Sequence, residues 1–126
     1  MTVKRYFINP NDTNVYADAV LVNDSTLYLS GLCSENLETG EVFYGDAAFE
    51  TKNILNNAKQ LLEKHGFSMD DVVQVGIYLT NMSDRKIMNE EYIKHFAQDK
   101  MPARFCVGNV ALADEFKVEM VITAQK

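Results

Sequence analysis

The chain is short of the residues from which metal centres and disulfide frameworks are built. Its 126 residues hold two histidines, His65 and His95, and two cysteines, Cys33 and Cys106, with no CxxC pair. No set of ligands at zinc spacing can be drawn from them, so no metal is expected and both thiols should be reduced. Positive charge is scarce as well. Twelve Lys and Arg against 18 Asp and Glu give a net charge of −6, which argues against the basic footprint that displaces counterions from a phosphate backbone. Long apolar runs are also missing. The start of the chain is broken by Asn9 and Pro10 before a signal-peptide apolar region could form, and no segment reaches the ~20 apolar residues of a membrane span. The expectation is a cytoplasmic protein with neither a nucleic-acid nor a membrane partner. There is no tandem repeat and no low-complexity stretch.

What is present suits a globular core: 47% of the residues are hydrophobic and 24% charged, consistent with one domain over residues 1–126. Phe49, Ile54, Leu55, Ala58, Leu61 and Leu62 recur with helical spacing. Asp46 is placed to cap that helix, and Gly66 to end it after the basic pair Lys64 and His65. A second helix is predicted from Ser83 to before Pro102, burying Met88, Tyr92 and Phe96. Between the two, Val73, Val75, Ile77 and Leu79 alternate with Gln74, Gly76 and Tyr78 as in a strand with one face on a core. Ala19 to Val22 and Thr26 to Ser30 flank the turn signal Asn23-Asp24-Ser25 and predict a hairpin.

Two further strands follow, and the first carries an oddity. Arg104 lies in Met101-Pro102-Ala103-Arg104-Phe105-Cys106-Val107, where a charge among apolar neighbours needs a partner or a ligand. Its guanidinium matches a carboxylate with two parallel hydrogen bonds. In the next strand Phe116, Val118, Met120 and Ile122 oppose Lys117, Glu119 and Val121. The period of two allows Arg104, Cys106 and Glu119 to share the face opposite the main core. Two readings stay open at this point: Arg104 holds a small carboxylate, or it closes an internal salt bridge with Glu119. The order of elements predicts an α+β layer with two helices on one face of a mixed sheet, and the other face needs a cover, for which subunit association is the economical answer.

Taken together, Pro102-Ala103-Arg104-Phe105-Cys106-Val107, Lys117-Val118-Glu119-Met120 and the block from Asp70 to Met82 leading to Met88-Asn89-Glu90 resemble the Rid family of enamine/imine deaminases, also called YjgF. Val15-Tyr16-Ala17-Asp18-Ala19-Val20 and Tyr28-Leu29-Ser30-Gly31 add to the match. The resemblance implies a chorismate-mutase-like subunit in a homotrimer, with ligand sites in clefts between subunits and no cofactor. It further implies that Arg104 binds the substrate carboxylate, helped by the backbone amide of Cys106 and by Ser30 and Gly31. Glu119 would orient water, and Tyr16 and Asn89 would shape the pocket. The implied substrates are small 2-imino acids derived from 2-aminoacrylate and its homologues, the products 2-oxo acids and ammonia.

The sequence also departs from the family pattern. Asn14-Val15-Tyr16-Ala17 stands for the usual Gly-Pro-Tyr-Ser, Ser30-Gly31-Leu32-Cys33-Ser34 for Ser-Gly-Gln-Ile-Pro, and Phe105 for the serine after the arginine. Substrate preference is where these changes should act. The alternatives are a non-catalytic carboxylate-binding regulatory module of the same fold and, attached to the family by name, an endoribonuclease or translation inhibitor. Cys33 reads as an incidental thiol, His65 as a helix-end cation and His95 as a surface residue.

Overall fold

A computed structural model describes residues 1–126. The elements are β1 (Val3–Tyr6), β2 (Ala19–Val22), β3 (Thr26–Leu29), α1 (Ala47–Lys64), β4 (Val72–Leu79), α2 (Arg85–Tyr92), β5 (Ala103–Val107) and β6 (Val118–Gln125). The strands form one six-stranded sheet in the order β1-β2-β3-β6-β4-β5. All neighbours are antiparallel except β4 and β5, and the chain crosses between those two parallel strands through α2.

The predicted ends of α1 are present. Asp46 Oδ1 accepts the Phe49 N–H at 2.8 Å, and Gly66 takes φ +82° after the last turn, a conformation that costs glycine no steric strain. Ile54, Leu55, Ala58, Leu61 and Leu62 lie inside the core with Val75, Ile77, Met120 and Ile122 of the sheet. Each of the Val, Leu, Ile and Met side chains among them contributes about 1.5–3 kcal/mol through burial. No helix is long and apolar enough to cross a membrane.

The second helix is shorter than its apolar spacing predicts. Regular α-helix covers Arg85–Tyr92 only, with single 3-10 turns at Met82–Asp84, Ile93–His95 and Gln98–Lys100. Phe96 has extended backbone, so its ring packs beneath Tyr92, with ring centroids 4.9 Å apart. The stripe Met88, Tyr92 and Phe96 is buried as expected. His95 is not a free surface group: its Nε2 lies 2.7 Å from Glu91 Oε2. His65 packs against the Tyr6 ring, and burial, aided by the Lys64 charge, pushes its pKa below the ordinary 6.5, contrary to the reading of a helix-end cation.

Two expectations about strand faces are corrected. In β4 an irregularity between Val72 and Gln74 shifts the register against β6, so Val73 is exposed and Val72 takes the core position. In β5, Val75 pairs with Arg104 and Ile77 with Cys106, while Val75 and Ile77 also face Ile122 and Met120. Arg104 and Cys106 therefore point to the helix-covered face. Glu119 pairs with Tyr78 and points to the other. That open face also carries Tyr28, Phe105, Val107 and Val121, all exposed.

Candidate functional site

The residues singled out in the sequence gather into two clusters, one on each face of the sheet. Around Glu119, the chain segment after β3 runs beside β6, and Leu32 bridges to Met120 through reciprocal backbone hydrogen bonds of 2.8 and 3.0 Å. This sets Gly31 against the Glu119 side chain. A methyl group at Gly31 would stand 2.6 Å from Glu119 Oε2, so the carboxylate lies where only glycine leaves room. Tyr16, Ser30, Gly31 and Glu119 together line a depression of about 290 Å³. Ser30 is tied in place by its hydroxyl, which donates to the Ala17 carbonyl at 2.6 Å. That bond also holds the segment bearing Tyr16.

Cys33, read in the sequence as an incidental thiol, belongs to this cluster. Its thiol donates to Glu119 Oε1 at 3.3 Å. Burial, then the nearby Glu119 charge and hydrogen bond, with smaller contributions from Glu35 and Glu50, raise the thiol pKa far above its ordinary value. The sulfur is a protonated donor, not a nucleophile. Its parity was not readable because residues 30–34 follow an isolated bridge instead of a strand.

The second cluster lies on the helix-covered face at edge strand β5. Arg104 Nη1 donates to Asn89 Oδ1 at 2.7 Å, and the guanidinium carbon stands 4.9 Å from the centroid of the Tyr92 ring. The cation over that ring adds an attraction of about 0.5–2 kcal/mol. Burial pushes the Tyr92 hydroxyl up to about 12, against the opposing Arg104 charge. No carboxylate lies within ion-pair distance of Arg104, so the internal Arg104–Glu119 salt bridge is absent. Cys106 is half-buried against the core beside it. Phe105 points to the opposite face, where it covers Gly76 and meets Tyr78 edge-on.

A second residue whose role sequence reasoning missed is Glu50. It is fully buried on α1, and its Oε1 accepts the backbone N–H groups of Lys117 at 2.8 Å and Val118 at 3.3 Å. The carboxylate thereby anchors the start of β6 one residue ahead of Glu119. A glutamate among Ala47, Thr51 and Ile54 was the available signal, since a charge on a buried helix face requires a partner. No cluster of His, Cys, Asp and Glu suited to a metal ion is present.

Comparison with known proteins is consistent across sequence and structure. The family described as endoribonuclease L-PSP matches residues 8–126. A RutC family protein of Pyrococcus abyssi is 35% identical over 117 residues, covering 93% of this chain and 91% of that protein. A protein of Dermatophagoides farinae named 2-iminobutanoate/2-iminopropanoate deaminase is 35% identical over 111 residues, covering 88% and 85%. Among solved structures, a member of the YjgF protein family from Neisseria meningitidis superposes with a TM-score of 0.84 at 31% identity, covering 100% of this chain and 96% of that one.

Proposed function

The chain belongs to the endoribonuclease L-PSP family, also called YjgF or Rid, and from that premise we propose that it is an enamine/imine deaminase. Its substrates are small 2-imino acids formed from 2-aminoacrylate and its homologues; its products are 2-oxo acids and ammonia. The observation that carries this reading is the state of Arg104. A half-buried guanidinium engaged by an amide oxygen and an aromatic face, with no carboxylate of its own, is a cation held in readiness for a carboxylate ligand. The 35% identity to a protein named as such a deaminase supports the choice of ligand.

In this mechanism Arg104 binds the substrate carboxylate, with the Cys106 backbone amide beside it and Asn89 fixing the guanidinium. Glu119 holds a water in the depression with Tyr16, Ser30 and Gly31 and takes a proton as the water oxygen adds to the imine carbon. Glu119 passes that proton on to the imine nitrogen, and the resulting carbinolamine collapses as its hydroxyl proton is transferred to nitrogen through the same carboxylate: the C–N bond breaks, ammonia leaves and the carbonyl forms. Holding substrate and water together accounts for most of the rate gain. Because Arg104 and Glu119 lie on opposite faces of one sheet, the working site takes its arginine from one chain and its glutamate from a second copy. β5 is an edge strand, and the exposed apolar face around Val121 gives that copy a surface to cover. We assign the assembly as a homotrimer.

The test is ammonia release from 2-imino acids generated in situ by a pyridoxal-phosphate-dependent dehydratase. Wild type should accelerate it, and Arg104→Ala should abolish it while the assembly persists. Unchanged turnover in that variant would sink the reading. The departures at Phe105 and Cys33 leave room for a second reading, a carboxylate-binding regulatory module; tight 2-oxo acid binding without turnover would select it. RNA cleavage, suggested by the family's descriptive name, is opposed by the net charge of −6.

A further inference from the structure

Resting on the deaminase reading, we propose that Cys33 is a positioning residue for Glu119, dividing the labour of the two carboxylate oxygens. The Cys33 thiol donates to Oε1 at 3.3 Å. Oε2 is the oxygen that a methyl group at Gly31 would meet at 2.6 Å, so it lies on the Gly31 side, toward the depression shared with Tyr16 and Ser30. One oxygen is thus tethered and the other turned to where water is held.

The tether is built from opposed elements. Glu119 is fixed along β6 by its pairing with Tyr78 and by Glu50, which accepts the N–H groups of the two residues before it, Lys117 and Val118. Cys33 is fixed by the Leu32–Met120 bridge just before it and by Ser34, whose hydroxyl donates to the Phe43 carbonyl at 2.7 Å. The carboxylates that bear on the thiol are Glu119, Glu35 and Glu50, and with burial they keep it protonated. A sulfhydryl is a weak donor, and a hydrogen bond to a charged acceptor is stronger than one between neutral groups. Its removal frees the Glu119 rotamer instead of leaving a buried orphan, because a carboxylate at the edge of a depression can turn to water.

Position 33 holds a thiol, which has a hydrogen to offer Oε1 where an aliphatic side chain would have none. Arg104 on the other half of the site is untouched by it, so substrate binding and water positioning should separate.

Infrared spectroscopy and kinetics test this together. The S–H stretch falls in a window free of other protein bands. Wild type should show a red-shifted band that disappears in Cys33→Ala and moves to higher frequency in Glu119→Gln. In the ammonia-release assay Cys33→Ala should lower kcat about three- to tenfold, the worth of one such hydrogen bond, with KM little changed. Cys33→Ser, which keeps a donor, should recover most of the loss. A Cys33 band at the frequency of a free thiol, unmoved by Glu119→Gln, overturns the proposal whatever the kinetics. So does a Cys33→Ala enzyme with wild-type kcat. If wild type releases no ammonia but the red-shifted band responds to Glu119→Gln, the positioning pair stands and the deaminase reading is what falls.

Discussion

At Gly31 the requirement for glycine comes from a neighbouring side chain, since its backbone adopts no left-handed angle. Any Cβ there would press on the Glu119 carboxylate at 2.6 Å, closer than real contacts allow. Glu119 sits at the edge of a depression, so it would yield by turning, and the fold would survive while the carboxylate moved. Gly31→Ala is therefore expected to lower kcat by about a hundredfold, the effect of displacing a reacting group by roughly an ångström. The midpoint of urea unfolding should change little. An active Gly31→Ala enzyme would show that Glu119 does not work from this position. Gly76 stands in the same relation to Phe105, whose ring would be 2.3 Å from an added Cβ. There the consequence is for the shape of the open face.

Among the elements, α1 serves the start of β6 as well as the core. One side carries Ile54, Leu55, Leu61 and Leu62 into the apolar interior, and its first turn sends Glu50 to the start of β6. Glu50→Ala leaves the N–H groups of Lys117 and Val118 without an acceptor in a buried place. A loss of about 2–4 kcal/mol of stability is expected, measured as a lower urea midpoint with an unchanged slope. Glu50→Gln keeps an oxygen at the same point and should lose less; equal losses would assign the effect to packing. The sequence made α1 legible because its signals are local: a capping Asp46, a stripe at helical spacing, a terminal Gly66. The strands were harder. The β4 irregularity at Val73 inverts the parity of its first residues, and nothing in Val72-Val73-Gln74 distinguishes the two valines. In β5 Phe105 and Val107 are more exposed than Arg104 and Cys106, because the open face is itself apolar. Alternation in β5 therefore showed which residues go together, but not which pair faces the helices. That depends on its parallel register with β4, a long-range fact. Motifs singled out the residues of both clusters, while their division between the two faces was not readable.

At the scale of the whole molecule, that division decides how the site can be tested. A sheet with helices on one face and Tyr28, Phe105, Val107 and Val121 exposed on the other has an apolar surface in want of a cover. If a second copy supplies it, every working site combines Arg104 of one chain with Glu119 of the next. Arg104→Ala and Glu119→Gln proteins should each be inactive, yet neither lacks both halves. Refolding the two together allows an intact arginine to meet an intact glutamate across an interface. Random assortment in a closed ring then restores about a quarter of the sites. The expected result is ammonia release near that fraction of wild type from the mixture and none from either variant alone. A site made within one chain cannot be repaired by mixing, because each protomer would carry a defect in its own pocket. Absence of recovery from a mixture shown by mass spectrometry to contain mixed oligomers would place both residues in one chain's site. The helix-face position of Arg104 would then have to change on ligand binding.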